Sequence, residues 1–198
     1  MEADLATKSQ AARLAPRRRD IAGLPAGVEV LELRGHGDDR GMFTELFRDE
    51  WGLGVDLVQW NAVRSEAGVL RGVHVHLVHD DYLTIQWGSA AIGLRDLRAE
   101  TETPAATATV ELEAENPAAI RIPAGVGHGF LFLEPSLHVY AVSHTWDPAD
   151  ELLLRWDDPA IGIDWPREPE RLSNRDATAP DLGEVLEAAG LPPLLIRA

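Results

Sequence analysis

Short segments with alternating apolar and polar residues, separated by turns, recur along most of the chain and restrict the folds it can adopt. In the segment 42–47, for example, Phe43 and Glu45 point to one side and Thr44 and Leu46 to the other. The strand-like segments are 28–33, 42–47, 55–61, 69–76, 82–87, 90–97, 107–112, 118–122, 130–133, 137–142 and 152–156. Many short strands with few helix signals predict an all-β sandwich or closed barrel.

The two ends of the chain differ from this pattern. We expect residues 1–20 to form an N-terminal extension, 21–178 the β-barrel domain, and 179–198 a C-terminal helical tail. A helix is predicted over 181–190, with Asp181 as its N-cap and Gly190 past its end. Within the extension, a helix could end at Pro16. The basic residues 17–19 form either a solvated arm or a contact with a partner subunit.

Composition excludes several classes of protein. The chain has 198 residues, a net charge of −15 and no cysteine, so thiolate ligands and disulfides are ruled out. The acidic balance argues against nucleic-acid binding, because a phosphate backbone needs a positive surface. No apolar run reaches the roughly 20 residues of a membrane span, and the first 15 residues lack the apolar core of a secretory signal. We therefore expect a cytoplasmic protein that binds neither nucleic acid nor membrane.

Histidines and aspartates cluster in one segment of the chain. His74 and His76 are one residue apart, which places both on one face of a strand, and Arg71 would lie on the opposite face. His79 and Asp81 follow closely. A lone histidine on a strand is more often a hydrogen-bonded core residue than a ligand or base, but a cluster of this density predicts a functional pocket.

The spacing of this cluster resembles the two cupin motifs. Two histidines, a carboxylate and a glycine occur in order as His74, His76, Asp81 and Gly88, and the second motif is matched by the segment 123–128, which ends in His128. The resemblance implies a cupin-type β-barrel, or jelly roll. In metal-binding cupins these positions hold an ion, so His74, His76, Asp81 and His128 are an alternative metal site.

A more specific resemblance covers residues 38 to 176. The chain is similar to the dTDP-4-dehydrorhamnose 3,5-epimerase family in ordered segments. These are DRGMFTE (39–45), QWN (59–61), GVLRGVH (68–74), IPAGVGHGF (122–130), RWDDPAIGIDWP (155–166) and LSNRD (172–176). The family resemblance implies a homodimer and a dTDP-linked keto-deoxysugar as substrate. It also implies proton abstraction next to a ketone, without a cofactor.

The resemblance assigns roles to individual residues. His74 corresponds to the base and Asp176 to the carboxylate that orients it, which suits a histidine whose pKa lies near neutrality. Arg40, Arg71 and His128 correspond to pyrophosphate-binding positions. Other pocket positions of the family correspond to Phe43, Glu45, Gln59 and Asn61, and Arg175 is a further expected substrate contact. Tyr140, also expected at the substrate, could stack on the base of the nucleotide or instead fill the barrel.

The chain departs from the family pattern in its expected catalytic set. The position of the family's lysine is occupied by Asp81, and Thr145 and Trp146 stand where a pair of tyrosines is expected. An enolate needs a cationic or hydrogen-bonding partner, so this change reverses the sign of the local charge. His76, His79, Tyr82 and His144 are predicted as alternative proton donors.

Three functions remain open. The first is an epimerase or ketoisomerase acting on a dTDP-4-keto-6-deoxyhexose, with His74 as base. The second is a metal-dependent cupin enzyme that uses the alternative site. The third is a sugar-nucleotide-binding protein without catalytic activity.

Overall fold

The computed structural model describes residues 15–188 and consists mainly of antiparallel β-strands. The strands are β1 (Arg17–Arg18), β2 (Glu29–Glu32), β3 (Gly35–Asp38), β4 (Gly41–Thr44), β5 (Gln59–Ser65), β6 (Leu70–His76), β7 (Asp81–Trp87), β8 (Ser89–Asp96), β9 (Thr107–Glu113), β10 (Ala118–Ile122), β11 (Val126–Phe132), β12 (Ser136–Val142) and β13 (Glu151–Leu153). Helices α1 (Asn174–Ala177) and α2 (Leu182–Ala188) follow, and 3₁₀ turns occur at Asp49–Trp51 and Pro148–Asp150. In this part of the chain neither α-helix is long and apolar enough to cross a membrane.

Two sheets make up the body of the molecule. One has the strand order β1-β2-β10-β7-β12-β5 and the other β13-β6-β11-β8-β9. A single apolar cluster joins them, with Val30, Leu83 and Ile120 from the first sheet and Ile92 and Phe132 from the second. Burying these side chains between two sheets is the main apolar contribution to folding. The predicted all-β fold of jelly-roll type is confirmed.

The predicted strands overlap the observed ones at most positions, although the bounds of several differ. Strand β5 covers Gln59–Ser65, and Val55 and Leu57, which suggested an earlier start, pack from a loop against a cluster around Leu53. Residues 35–41, between the predicted strands 28–33 and 42–47, form much of the β3–β4 hairpin, which pairs only with itself in the described residues. Composition could not predict this hairpin, because it is held by backbone pairing and not by a buried face.

The ends of the described chain pack against the barrel. Strand β1 pairs with β2, and the Arg18 side chain lies 3.0 Å from Glu29, so this part of the predicted extension is an edge strand. Helix α2 buries Leu182 and Leu186 in a cluster with Val73. The helix predicted before Pro16 falls on residues 1–14, outside the described residues. The end of the helix predicted over 181–190, and the rest of the predicted tail, fall on residues 189–198, also outside them.

A bulge in β6 decides which of its side chains reach the barrel interior. Opposite β11, His74 pairs with His128 and Arg71 with Phe130, so three steps on β6 match two on β11. The side-chain alternation shifts at this point, and Arg71 and His74 both line the same cavity. The prediction that Arg71 lies on the face opposite His74 is therefore wrong, because strict alternation assumes a regular strand.

Gly72 lies at this bulge and has a φ of +115°, a conformation that L side chains rarely adopt. A Cβ atom there would lie 2.7 Å from the Cα of Gly129 and 2.8 Å from the carbonyl oxygen of His128. We expect Gly72→Ala to lower the free energy of unfolding by about 2 to 4 kcal/mol, measured by urea denaturation.

The matched control is Gly37→Ala in the exposed hairpin, where the nearest atom to an added Cβ is the Gly41 carbonyl oxygen, at an ordinary 3.8 Å. Equal stability of the two variants would contradict a strained, closely packed bulge at Gly72.

Candidate active site

A cavity of about 300 Å³ lies inside the barrel, between the two sheets. This volume is within the range of small-molecule sites. Its walls come from β5, β7 and β12 of one sheet, β6, β11 and β13 of the other, and the residues at the start of α1. The predicted residues that line it are Arg71, His74, His76, His79, Asp81, His128, Tyr140, Arg175 and Asp176.

His74 is held between two carboxylates in this cavity. Its Nε2 lies 3.1 Å from Oδ1 of Asp176, and its Nδ1 lies 3.0 Å from Oε1 of Glu151. Both acids are almost completely buried, whereas His74 keeps 22% of its side chain exposed. The structure thus brings His74 and Asp176 into the contact that the family resemblance implies.

Local structure around Asp176 fixes its carboxylate. Ser173 is the N-cap of α1: its hydroxyl accepts a hydrogen bond from the backbone N–H of Asp176 and donates one to Oδ2 at 2.8 Å. Burial opposes ionisation of Asp176, but the hydrogen bonds from His74 and Ser173 together outweigh it and lower the pKa of this carboxyl. Asp176 is therefore ionised at neutral pH and can hold a proton on His74 Nε2.

Glu151 is a site residue that the sequence analysis missed. Its Oε2 lies 3.1 Å from Nη2 of Arg175 and accepts a hydrogen bond from the Trp146 indole N–H at 3.3 Å. Strand β13 pairs with β6, setting Glu151 opposite His76 and Leu153 opposite His74. No sequence signal identified Glu151, because a three-residue strand after an acidic turn resembles a solvated loop.

A second group of side chains forms another part of the cavity wall. Oδ2 of Asp81 lies 3.6 Å from Nε2 of His76, 3.6 Å from Nε2 of His128 and 4.0 Å from Nε2 of His79. Burial lowers the pKa of His76 to about 2 and that of His128 to about 4, and it raises the pKa of Asp81. His74 is not part of this group, because both of its ring nitrogens face other carboxylates.

The remaining lining residues supply charge and aromatic surface. Arg71 donates from Nε to the Ser65 hydroxyl at 3.0 Å, and Arg175 is bound to Glu151 as described. His138 and Tyr140 lie side by side, with ring centroids 5.8 Å apart. Burial is the main cause of the raised pKa of Tyr140, so its hydroxyl keeps its proton at neutral pH.

Several predicted site residues lie outside the cavity of the single chain. Arg40 is exposed and bound to Asp38, while Glu45 forms an ion pair with Arg48. Phe43 projects from the hairpin and is 63% exposed.

The other predicted residues that do not line the cavity come from β5, β7 and the loop after β12. Gln59 accepts a hydrogen bond from the Trp146 backbone N–H at 3.0 Å and donates one to Asn61 at 3.1 Å, so both lie close to a lining residue. His144 is exposed on the loop after β12. Tyr82 is fully buried in a separate apolar cluster, and its hydroxyl donates to the Leu46 carbonyl. The structure therefore does not support Tyr82 as a proton donor in this pocket.

His138 gives the pocket a testable pH dependence. Burial, assisted by Arg71, lowers its pKa from 6.5 to about 4, whereas the unfolded chain titrates at its ordinary value. The unfolded state therefore binds the proton first, and stability falls as pH decreases from about 6.5 to about 4. Because a pKa shift of one unit corresponds to about 1.4 kcal/mol, this histidine accounts for roughly 3 kcal/mol of the unfolding free energy lost over this pH range.

We expect His138→Phe to reduce the loss of unfolding free energy between pH 7 and pH 4 by up to that amount, measured by denaturation at each pH. His144→Ala, at an exposed position, is the control and should keep the wild-type slope. An unchanged slope in His138→Phe would contradict the buried, neutral histidine.

Known proteins are similar to this chain in sequence and in fold. The model of the dTDP-4-dehydrorhamnose 3,5-epimerase family matches residues 25–184. An enzyme of that name from Mycolicibacterium smegmatis is 37% identical over 186 residues, covering 89% of this chain and 90% of its own length.

Two solved structures extend the comparison. One is a double mutant of ChmJ, a 3′-monoepimerase from Streptomyces bikiniensis, in which a histidine and a tyrosine are substituted, in complex with dTDP. It superposes with a TM-score of 0.78 and 30% identity, covering 88% of this chain and 92% of its own. The other is an epimerase from Legionella pneumophila in complex with dTDP-4-keto-L-rhamnose, with a TM-score of 0.77 and 29% identity over 89% of this chain and 98% of its own. This chain belongs to the dTDP-4-dehydrorhamnose 3,5-epimerase family.

Proposed function

We propose that this protein is an isomerase that epimerises a dTDP-linked 4-keto-6-deoxyhexose, with His74 removing the proton next to the ketone. The observation that carries the proposal is the contact between His74 and the ionised Asp176 in a cavity of suitable size. Family membership supports it, as do related structures with dTDP or a dTDP-keto-sugar bound. We also propose that the protein works in the cytoplasm.

Proton accounting identifies the reactive atom of His74. An ionised carboxylate only accepts hydrogen bonds, so Asp176 holds a proton on Nε2. Nδ1 is then the nitrogen that can be free of a proton and act as the base. Glu151 faces that nitrogen at 3.0 Å, and it must move aside or take up the proton when the substrate carbon approaches. A carboxylate on the far side of the ring also stabilises the imidazolium formed after abstraction.

The proton returned to the sugar is assigned to Tyr140. Of the chain's two tyrosines, Tyr140 lines the cavity and Tyr82 does not. A general acid must be protonated before it reacts, and the raised pKa of Tyr140 meets this condition. Tyr140 thus replaces His76, Tyr82 and His144 as the proposed donor, and the loss of the paired tyrosines near Trp146 does not remove it.

Cationic side chains at the cavity provide contacts for the pyrophosphate. Arg71 and Arg175 both line it, and guanidinium groups bind phosphate oxygens through paired hydrogen bonds. His128 is buried and bonded to a backbone carbonyl, which makes it a poorer phosphate contact than the two arginines.

We further propose a homodimer in which the β3–β4 hairpin of one subunit covers the pocket of the other. The hairpin leaves Met42 52% and Phe43 63% exposed, and such apolar surface is costly in water. Arg40, at the tip of the same hairpin, would then reach a substrate bound by the neighbouring subunit. This arrangement explains why Arg40, Phe43 and Glu45 lie far from the cavity of their own chain.

Replacing the base tests the proposal. We expect His74→Asn to reduce turnover of dTDP-4-keto-6-deoxyglucose by about 10²- to 10⁴-fold, followed by NMR of the product sugar. His144→Ala should retain wild-type turnover. If the wild type binds dTDP but gives no product from this sugar or its ketoisomers, the protein is a binding protein and not an isomerase.

Replacing the two tyrosines separates their roles. Tyr140→Phe should lower the rate of product formation by about 10²-fold or more, because the reprotonating hydroxyl is lost. Tyr82→Phe should lose about 1 kcal/mol of stability from the bond to Leu46 while keeping full turnover. The assignment of the acid is wrong if the two variants show the opposite pattern of activity.

A further inference from the structure

Three buried side chains of the cavity wall bring nitrogen and oxygen atoms close together. The nitrogens and oxygen of His76, Asp81 and His128 lie within 4.8 Å of one another. Oδ2 of Asp81 has no hydrogen-bond partner, although the residue is only 5% exposed. Leaving a buried carboxylate oxygen unpaired is costly, so this arrangement calls for a group between the side chains.

The hydrogen bonds of His128 and His79 fix which nitrogen carries the lone pair. Nδ1 of His128 donates to the Val126 carbonyl at 3.1 Å, because a carbonyl can only accept. Nδ1 of His79 lies 2.7 Å from the Asp150 carboxylate, so this nitrogen is also the donor. In both rings Nε2 is left as an acceptor that faces Asp81, whose carboxylate is itself an acceptor when it is ionised. Acceptors facing each other attract a cation.

The distances distinguish a metal ion from direct hydrogen bonds. Hydrogen bonds between nitrogen and oxygen lie between about 2.7 and 3.2 Å, whereas Asp81 is 3.6 Å from both His76 and His128. Two ligands of a tetrahedral zinc ion, each about 2.1 Å from the metal, are about 3.4 Å apart. The distances from Asp81 to His76 and His128 therefore match the ligand spacing of a tetrahedral ion.

We propose that His76, Asp81 and His128 bind a divalent first-row transition-metal ion and leave one position of a tetrahedral ion open to water or substrate. Imidazole and carboxylate ligands suit zinc, iron, manganese and nickel. The Val126 carbonyl orients the His128 ring from outside, as partners of metal-bound histidines usually do. This set differs from the one predicted from the cupin motifs, since it does not include His74.

The bound ion lies in the cavity that also holds His74. A Lewis acid there polarises the ketone oxygen and stabilises the negative charge that develops when the proton is removed. The ion also supplies a positive charge near Asp81, which occupies the position of the family's lysine. This role rests on the proposed isomerase function, whereas the metal site itself does not.

Binding of zinc tests the site without reference to activity. Wild-type protein stripped with a chelator should take up one equivalent of Zn²⁺ per chain, measured by calorimetry and elemental analysis, and zinc should raise its melting temperature. Substitution with Co²⁺ should give the intense visible bands of a tetrahedral ion. Failure of the stripped, folded wild type to bind either ion at one equivalent would overturn the proposal.

Variants locate the ligands. Asp81→Asn, His128→Gln and His76→Gln should each weaken zinc binding by at least about 100-fold. His144→Ala should bind like the wild type. Any variant that unfolds without metal is replaced in the comparison by the others of the set, and unchanged binding in those that fold would overturn the assignment.

His74→Asn separates the metal site from the base. It should bind zinc as tightly as the wild type, because Glu151 and Asp176 occupy the nitrogens of His74, and yet lose turnover. If stripped wild type binds zinc but its turnover is the same with and without the ion, the site stands and the Lewis-acid role is rejected. If zinc binds and no sugar reacts in either state, the proposed function fails and the metal site remains.

Discussion

The contact between His74 and Asp176 is the interaction on which the rest of this site depends. It joins strand β6 to helix α1 across 102 positions of sequence, at a distance of 3.1 Å. Ser173 caps the helix and donates a hydrogen bond to the second oxygen of Asp176, so the carboxylate is held in place independently of His74. Glu151 then closes the other side of the ring. The two contacts set the orientation of the His74 ring.

The strand pattern predicted most of the fold, because burial between two sheets imposes an alternation that is readable in sequence. The same alternation failed at Gly72, where a bulge moves Arg71 to the side of His74. A bulge depends on backbone geometry across two strands, and a single strand does not reveal it. The β3–β4 hairpin was missed for a similar reason, since it has no buried face to give it a pattern.

The structure brings together in one cavity several residues that the ordered motifs named, and prediction from position alone was incomplete. His74, Asp176, Arg71 and Tyr140 were all named from sequence and all line the cavity. Their roles in the reaction stay predictions. Glu151 was missed because its strand is short, and Tyr82 was misjudged because proximity in sequence to the histidine cluster does not show which side of a sheet a residue faces. The grouping of His79 with Asp81 required the loop after β6 to be seen in three dimensions.

Asp81 and the three histidines around it lie in the cavity wall beside His74, a base that must generate negative charge on the substrate. Those two features conflict unless a cation compensates, whether from the arginines or from a metal ion. Deuterium exchange in heavy water tests the central claim, that His74 removes the proton next to the ketone, most directly. With dTDP-4-keto-6-deoxyglucose, the account predicts deuterium at a carbon adjacent to the ketone for wild type and for Tyr140→Phe, and none for His74→Asn. Exchange that persists in folded His74→Asn, or is absent from wild type that binds dTDP, would contradict it.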